Sequence, residues 1–191
     1  MSETQPTFAP ELSAAPPLPA RAEYLERQDR TRAALADAEL DGLLAFGSRN
    51  WPWAVRWLAD HQSGFQQQGA SPTFGDKGFS ALVLPVDGPP ILVLDQRTLP
   101  GECAVDDART VERITLDVAT ALADAGLLGK RLGIAGEGSM LDRHRREIEA
   151  AAGQELNLNP QPTRLAFGPT DDACARREHR KSIVAGELFP G

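Results

Sequence analysis

Apolar residues fall along this chain in short blocks of two kinds, stripes spaced as on a helix and unbroken runs of strand length. Over residues 20–41, Leu25, Ala33, Leu35, Ala36 and Leu40 form a moderate stripe among Arg, Glu and Asp, which predicts a helix. The run Gly42-Leu-Leu-Ala-Phe-Gly47 follows directly and reads as a buried strand. Residues 48–61 place Pro52 early and then Trp53, Val55, Trp57 and Leu58, as a short helix would. Residues 62–78 hold Gly, Gln, Ser and Pro, with Phe65 and Phe74 as their large apolar groups. That composition predicts a long loop, and such loops in compact domains are commonly functional or disordered.

Two apolar runs, 79–86 and 90–96, flank Asp87-Gly88-Pro89, and Asp-Gly supplies the backbone angles of a hairpin. Pro85, near the end of the first run, predicts a sheet edge or a bulge there. Residues 115–125 predict an amphipathic helix with Leu116, Ala119, Leu122 and Ala123 on one face, ended by a left-handed Gly126 with Leu127 packing back. Residues 130–136 predict a strand. Ser139 is placed to cap a helix whose apolar positions are Leu141, Ile148, Ala151 and Ala152 and which Gly153 ends. Leu156 and Leu158 alternate with asparagines as in a strand buried on one face, closed by Pro160 and Pro162. A charged terminal helix is expected over residues 171–191. Helices alternating with strands around one hairpin define the α/β class: a single layered domain with a mixed parallel and antiparallel sheet flanked by helices. No internal repeat is visible. The ordered domain is expected over residues 20–170, after a Pro/Ala-rich leader, residues 1–19, read as disordered and without the features of a targeting peptide.

Composition narrows the function more than it defines it. The chain has 191 residues and a formal charge of −7, with acidic residues spread throughout, so the electrostatic footprint of a nucleic-acid binder is missing. The basic run 176–181 reads as a solvated helix face. Cys103 and Cys174 lie far apart without metal or redox spacing, which fits reduced thiols and a cytoplasmic location. No apolar run reaches the roughly 18 residues a membrane span needs.

Candidate chemistry is sparse. His61, His144 and His179 are scattered without a ligand pattern, and His144 borders the stripe of its helix as a half-buried structural histidine would. Gly133, Gly136 and Gly138 match neither the dinucleotide fingerprint nor the phosphate loop, and Ser139 lacks the flanks of a nucleophile elbow. The adjacent pairs Asp106-Asp107 and Asp171-Asp172 are expected to splay apart. The most unusual feature is that Trp51, Trp53 and Trp57 hold every tryptophan of the protein. Core packing accounts for one or two, and the remainder would face a partner or a ligand. A small-molecule site between this helix and the loop after it is the alternative.

The stretch from Leu40 to Leu58, with Asp41, Leu43, Leu44, Asn50 and Leu58, resembles a segment of the creatinase, prolidase and Xaa-Pro aminopeptidase family (M24). The later order of hairpin, "LGIAGE" strand, helix and "RKS" is similar to that family's amino-terminal domain. This resemblance implies a non-catalytic domain that helps form a dimer and places a loop over a neighbouring active site. It further implies that the divalent metal pair belongs to a separate "pita-bread" catalytic domain, to which residues 171–191 would be the linker, so no cofactor and no catalytic residue is expected here. The implied partners are a second copy or a companion catalytic domain, with neither nucleic acid nor membrane. Arg49, Asn50, Trp53, Trp57, His61 and Phe65 are the candidate gating or binding residues. The family's "YLTG" is replaced here by "RWLAD".

Overall fold

A computed structural model describes residues 20–48, 53–59, 78–94 and 104–159. Among them are helices α1 (Arg21–Asp37), α2 (Trp53–Ala59), α3 (Ile114–Asp124) and α4 (Asp142–Ala152). The strands are β1 (Gly42–Ser48), β2 (Phe79–Pro85), β3 (Ile91–Leu94), β4 (Asp107–Thr110), β5 (Arg131–Ala135) and β6 (Asn157–Asn159). They form one six-stranded sheet in the order β4-β3-β2-β1-β5-β6. β1–β2 and β2–β3 are antiparallel, whereas β3–β4, β1–β5 and β5–β6 are parallel, which makes the sheet mixed as the sequence predicts.

The side-chain period of a strand divides each central run between two cores. From β1, Leu43 and Ala45 join Leu82, Leu84, Leu92 and Leu94 under α1 and α2. Leu44 and Phe46 turn the other way and join Val83, Val93 and the apolar faces of α3 and α4. Both faces of the sheet are thus covered by helices. This explains why the sequence of β1 is continuously apolar rather than alternating.

Several local expectations hold. β2 and β3 pair antiparallel with Ser80 opposite Leu94 and Val83 opposite Ile91, although residues 84–90 between the last pair make a connection longer than the tight Asp-Gly turn expected. Gly126 is left-handed at φ 67°, and the Leu127 N–H returns to the Leu122 carbonyl at 2.8 Å while its side chain is buried. Gly136 is needed for two reasons: its φ is 75°, and a Cβ there would lie 1.9 Å from the Phe46 carbonyl oxygen. β5 therefore leaves the sheet in close contact with β1.

Other expectations are corrected. Pro85 ends a central strand, paired in continuous register from Gly42↔Pro85 to Ser48↔Phe79, with neither an edge nor a bulge. On α1, Leu25 is 41% exposed, and Ala33 and Ala36 face solvent; the buried face is Tyr24, Arg27, Gln28, Thr31 and Leu35. On α3, Ala119 and Leu122 are buried as expected, but Leu116 and Ala123 are exposed, and Ile114, Val118 and Ala121 complete the packed face. β4 was not predicted: at the sheet edge it is only half-buried, and Asp-Ala-Arg-Thr carries no apolar alternation. Ser139 does not cap α4 but is buried in a one-turn 3-10 helix, Glu137–Ser139. Leu141 takes the N-cap position, exposed at 48%, and its N–H donates to His144 Nδ1 at 3.4 Å. His144 is fully buried rather than half-buried, edge-on to Phe79 with centroids 4.4 Å apart and 5.5 Å from Phe46.

Candidate functional site

Because β2 runs against its neighbours, the carboxyl ends of β1, β3, β4, β5 and β6 lie along one edge of the sheet, with the start of β2 between them. In open α/β sheets ligands are usually met at the carboxyl ends of parallel strands. The candidate residues Arg49 and Asn50 follow β1 in the sequence. They lie outside the described residues, as do His61, Phe65, the expected loop up to residue 77, both cysteines and the expected helix over 171–191. Trp53 opens α2, and its side chain is not among those described. Trp57 is the candidate whose surroundings are defined. Its side chain is 5% exposed within the core beneath α1 and α2, so this tryptophan packs inward.

What holds α2 is a polar cluster from α1. A helix of seven residues has little stability of its own, and its last carbonyls lack intrahelical donors. Arg27 Nη1 donates to the Trp57 carbonyl at 3.2 Å, and Gln28 Nε2 donates to the Leu58 carbonyl at 2.8 Å. The Arg27 guanidinium also lies 3.7 Å from the centroid of the Trp57 ring and 5.0 Å from that of Tyr24, where a cation is attracted to the ring faces. Glu23 Oε1 accepts from Arg27 Nη2 at 2.5 Å, which balances the buried charge. Arg27 and Gln28 are 4% and 1% exposed.

Neither residue was singled out from the sequence. The available signal was the spacing of Tyr24, Gln28, Thr31 and Leu35, which is helical once polar residues are allowed on a core face.

The other charged groups serve the scaffold. Asp41 Oδ2 accepts from the Arg131 N–H at 2.9 Å, while its own backbone bridges the Arg131 carbonyl and the Val86 N–H, tying β1 to β5 and to the end of β2. Arg109 joins Asp107 and Asp124, both at 2.7 Å. The hydrogen bonds from Arg109 hold the Asp107 carboxyl below its usual range against the opposing effect of burial, and the nearby positive charge adds to them. Arg145, at 2.9 Å, lowers the Glu149 carboxyl in the same way, again against burial and helped by the Leu156 N–H. Asp106 turns instead to Arg21 at 2.6 Å, so the two adjacent aspartates do splay apart. Among the described residues, no three His, Cys, Asp or Glu side chains come together as metal ligands.

Two described clefts, of about 480 and 330 Å³, lie at the opposite edge of the sheet. They share Pro85 and Asp87, and the larger runs past Asp41 to Lys130. Neither includes Trp57.

No family model matches the chain, and no curated protein matches it in sequence. Solved structures similar to it include N-terminal domains of creatinase/prolidase-like peptidases. Dipeptidase PepE from Mycobacterium ulcerans is 22% identical with a TM-score of 0.47, over 76% of this chain and 36% of that one. The N-terminal domain of the cytoplasmic peptidase PepQ from Mycobacterium tuberculosis H37Rv is 16% identical with a TM-score of 0.44, over 74% of this chain and 98% of that one. An Xaa-Pro aminopeptidase structure from Streptococcus pyogenes is 13% identical with a TM-score of 0.48, over 77% of this chain and 99% of that one. The chain thus spans 36% of the length of the Mycobacterium ulcerans enzyme. No helix among the described residues is long and apolar enough to cross a membrane.

Proposed function

We propose that the chain acts as the non-catalytic amino-terminal domain of an M24-type metallohydrolase of the Xaa-Pro peptidase or creatinase kind, working through dimerisation and through gating of a partner's active site. The observation that carries this is the anchoring of α2. Two buried polar side chains of α1 hold its last carbonyls, and so fix where the chain leaves the helix toward the residues expected to gate. A stretch that meets a partner needs a rigid root, and the α1–α2 contact supplies one. Arg49, Asn50, Trp53, His61 and Phe65 are the residues proposed to make that contact, whereas Trp57 packs in the core. The divalent metal pair of such an enzyme is assigned to a catalytic domain. The described residues do not fit it, since no three metal-ligating side chains converge.

The full chain, incubated with Xaa-Pro dipeptides and manganese or zinc, is expected to release no amino acid above the metal-only control. Metal-dependent turnover by the purified chain would overturn the non-catalytic assignment.

A further inference from the structure

We propose that Arg27 and Gln28 are positioning residues that seat α2 as a separately releasable unit, while the sheet and the α3–α4 layer hold without them. This rests on the function proposed above only for its consequence, not for its physical basis. An arginine and a glutamine side by side at core positions are costly to bury unless every polar group finds a partner. Here the partners are not side chains of the core but consecutive backbone carbonyls at the end of α2, 30 residues away in sequence.

The bonds also have the right sense. A cation and an amide donor meet the carbonyl end of a helix, where partial negative charge collects and intrahelical donors run out. The same guanidinium covers the face of Trp57, so one side chain fixes both the backbone end and the large ring of α2. Thr31 supports the arrangement locally, its hydroxyl donating to the Arg27 carbonyl at 2.8 Å. Glu23 holds the guanidinium from the solvent side.

The apolar contacts of α2 come from small or medium residues, Ala54, Val55, Leu58 and Ala59, beside Trp57. Seven residues, about two turns of helix, have few backbone bonds to keep them in place once the end is released. The α3–α4 layer packs on the other face of the sheet, through residues that do not include Arg27 or Gln28. Losing the latch should therefore be felt at α2 first.

The test is native-state hydrogen exchange on the full chain, comparing wild type with Arg27→Met and Gln28→Leu, with Arg27→Lys as the conservative variant. The informative amides are those of Trp57, Leu58 and Ala59, which have acceptors within a seven-residue helix. Each of the first two variants is expected to speed exchange at these amides by about tenfold or more, while amides of α3, α4 and β5 keep their wild-type rates. Arg27→Lys should recover part of the protection, because it keeps the charge but loses the planar fork.

Exchange rising in step across α2 and α3, or unchanged at α2, would overturn the proposal. If α2 is released selectively yet self-association, read by sedimentation equilibrium on the same variants, is unaltered, the latch stands and its role as the root of the partner contact falls. Loss of both identifies the latch as the root of the partner contact.

Discussion

Replacing Gly136 with alanine perturbs one atom at the point where β5 turns away from the sheet. The new Cβ would sit 1.9 Å from the Phe46 carbonyl oxygen, so the two must separate by roughly 1.5 Å to reach ordinary contact. Neither side yields cheaply. Phe46 lies in the middle of the β1–β2 ladder and is fully buried, and Ala135 is held in parallel register with Ala45. The backbone angle adds its own cost, about 1–2 kcal/mol for an L-residue held in the left-handed region. Together with the displaced strand, the expected loss is about 3–5 kcal/mol. In a protein of this size that is a fall in melting temperature of roughly 6–20 °C.

Gly138, two residues on, provides the control. A Cβ there meets nothing within 4 Å, so Gly138→Ala should change stability by less than about 0.5 kcal/mol. Thermal melts followed by far-UV circular dichroism separate the two variants. Equal melting temperatures would refute the claim that β1 and the β5 exit are in forced contact.

Two further substitutions compare a buried position of α4 with its exposed N-cap residue. Ile148→Ala should cost about 2–5 kcal/mol in urea unfolding, since Ile148 is fully buried, whereas Leu141→Ala should be nearly neutral because Leu141 is 48% exposed. Acid stability tests the two lowered carboxyls. A group whose folded pKa is depressed adds stability that is complete above its ordinary value, here 3.8 for Asp107 and 4.5 for Glu149, and is lost as pH falls through the folded value. The double variant Asp107→Asn, Glu149→Gln should thus be slightly less stable than wild type at neutral pH and converge with it in stronger acid. A gap that widened on acidification would contradict these assignments. The effect is small because the Asp107 side chain is 42% exposed.

The parts of the fold that could be read from sequence are those whose cause is local. β1 and the antiparallel β2–β3 pair are legible because their apolar runs state their own geometry, although the connection between the last paired residues, Val83 and Ile91, is longer than a tight Asp87-Gly88 turn. The Gly126–Leu127 helix end follows from the same kind of local chemistry. The buried face of α1 was not legible. Arg27 and Gln28 are core residues because of partners supplied by α2 across the fold, and the Thr31 hydroxyl is satisfied by the Arg27 carbonyl within α1; a hydropathy stripe cannot anticipate that. β4 escaped because an edge strand with one half-buried face needs no apolar pattern. His144 looked like a border residue, yet Phe46 and Phe79 close over it from strands far away in the chain.

Of the tryptophan cluster, the sequence allowed one or two to be core, and Trp57 is such a residue; what the sequence did not reveal is the arginine packed against its ring.

Sedimentation equilibrium of the full chain, from micromolar to millimolar concentration, tests most directly whether it works by association. The weight-average mass is expected to climb with concentration from the monomer value of 20.6 kDa toward that of a dimer. A mass constant at 20.6 kDa over the whole range would contradict it.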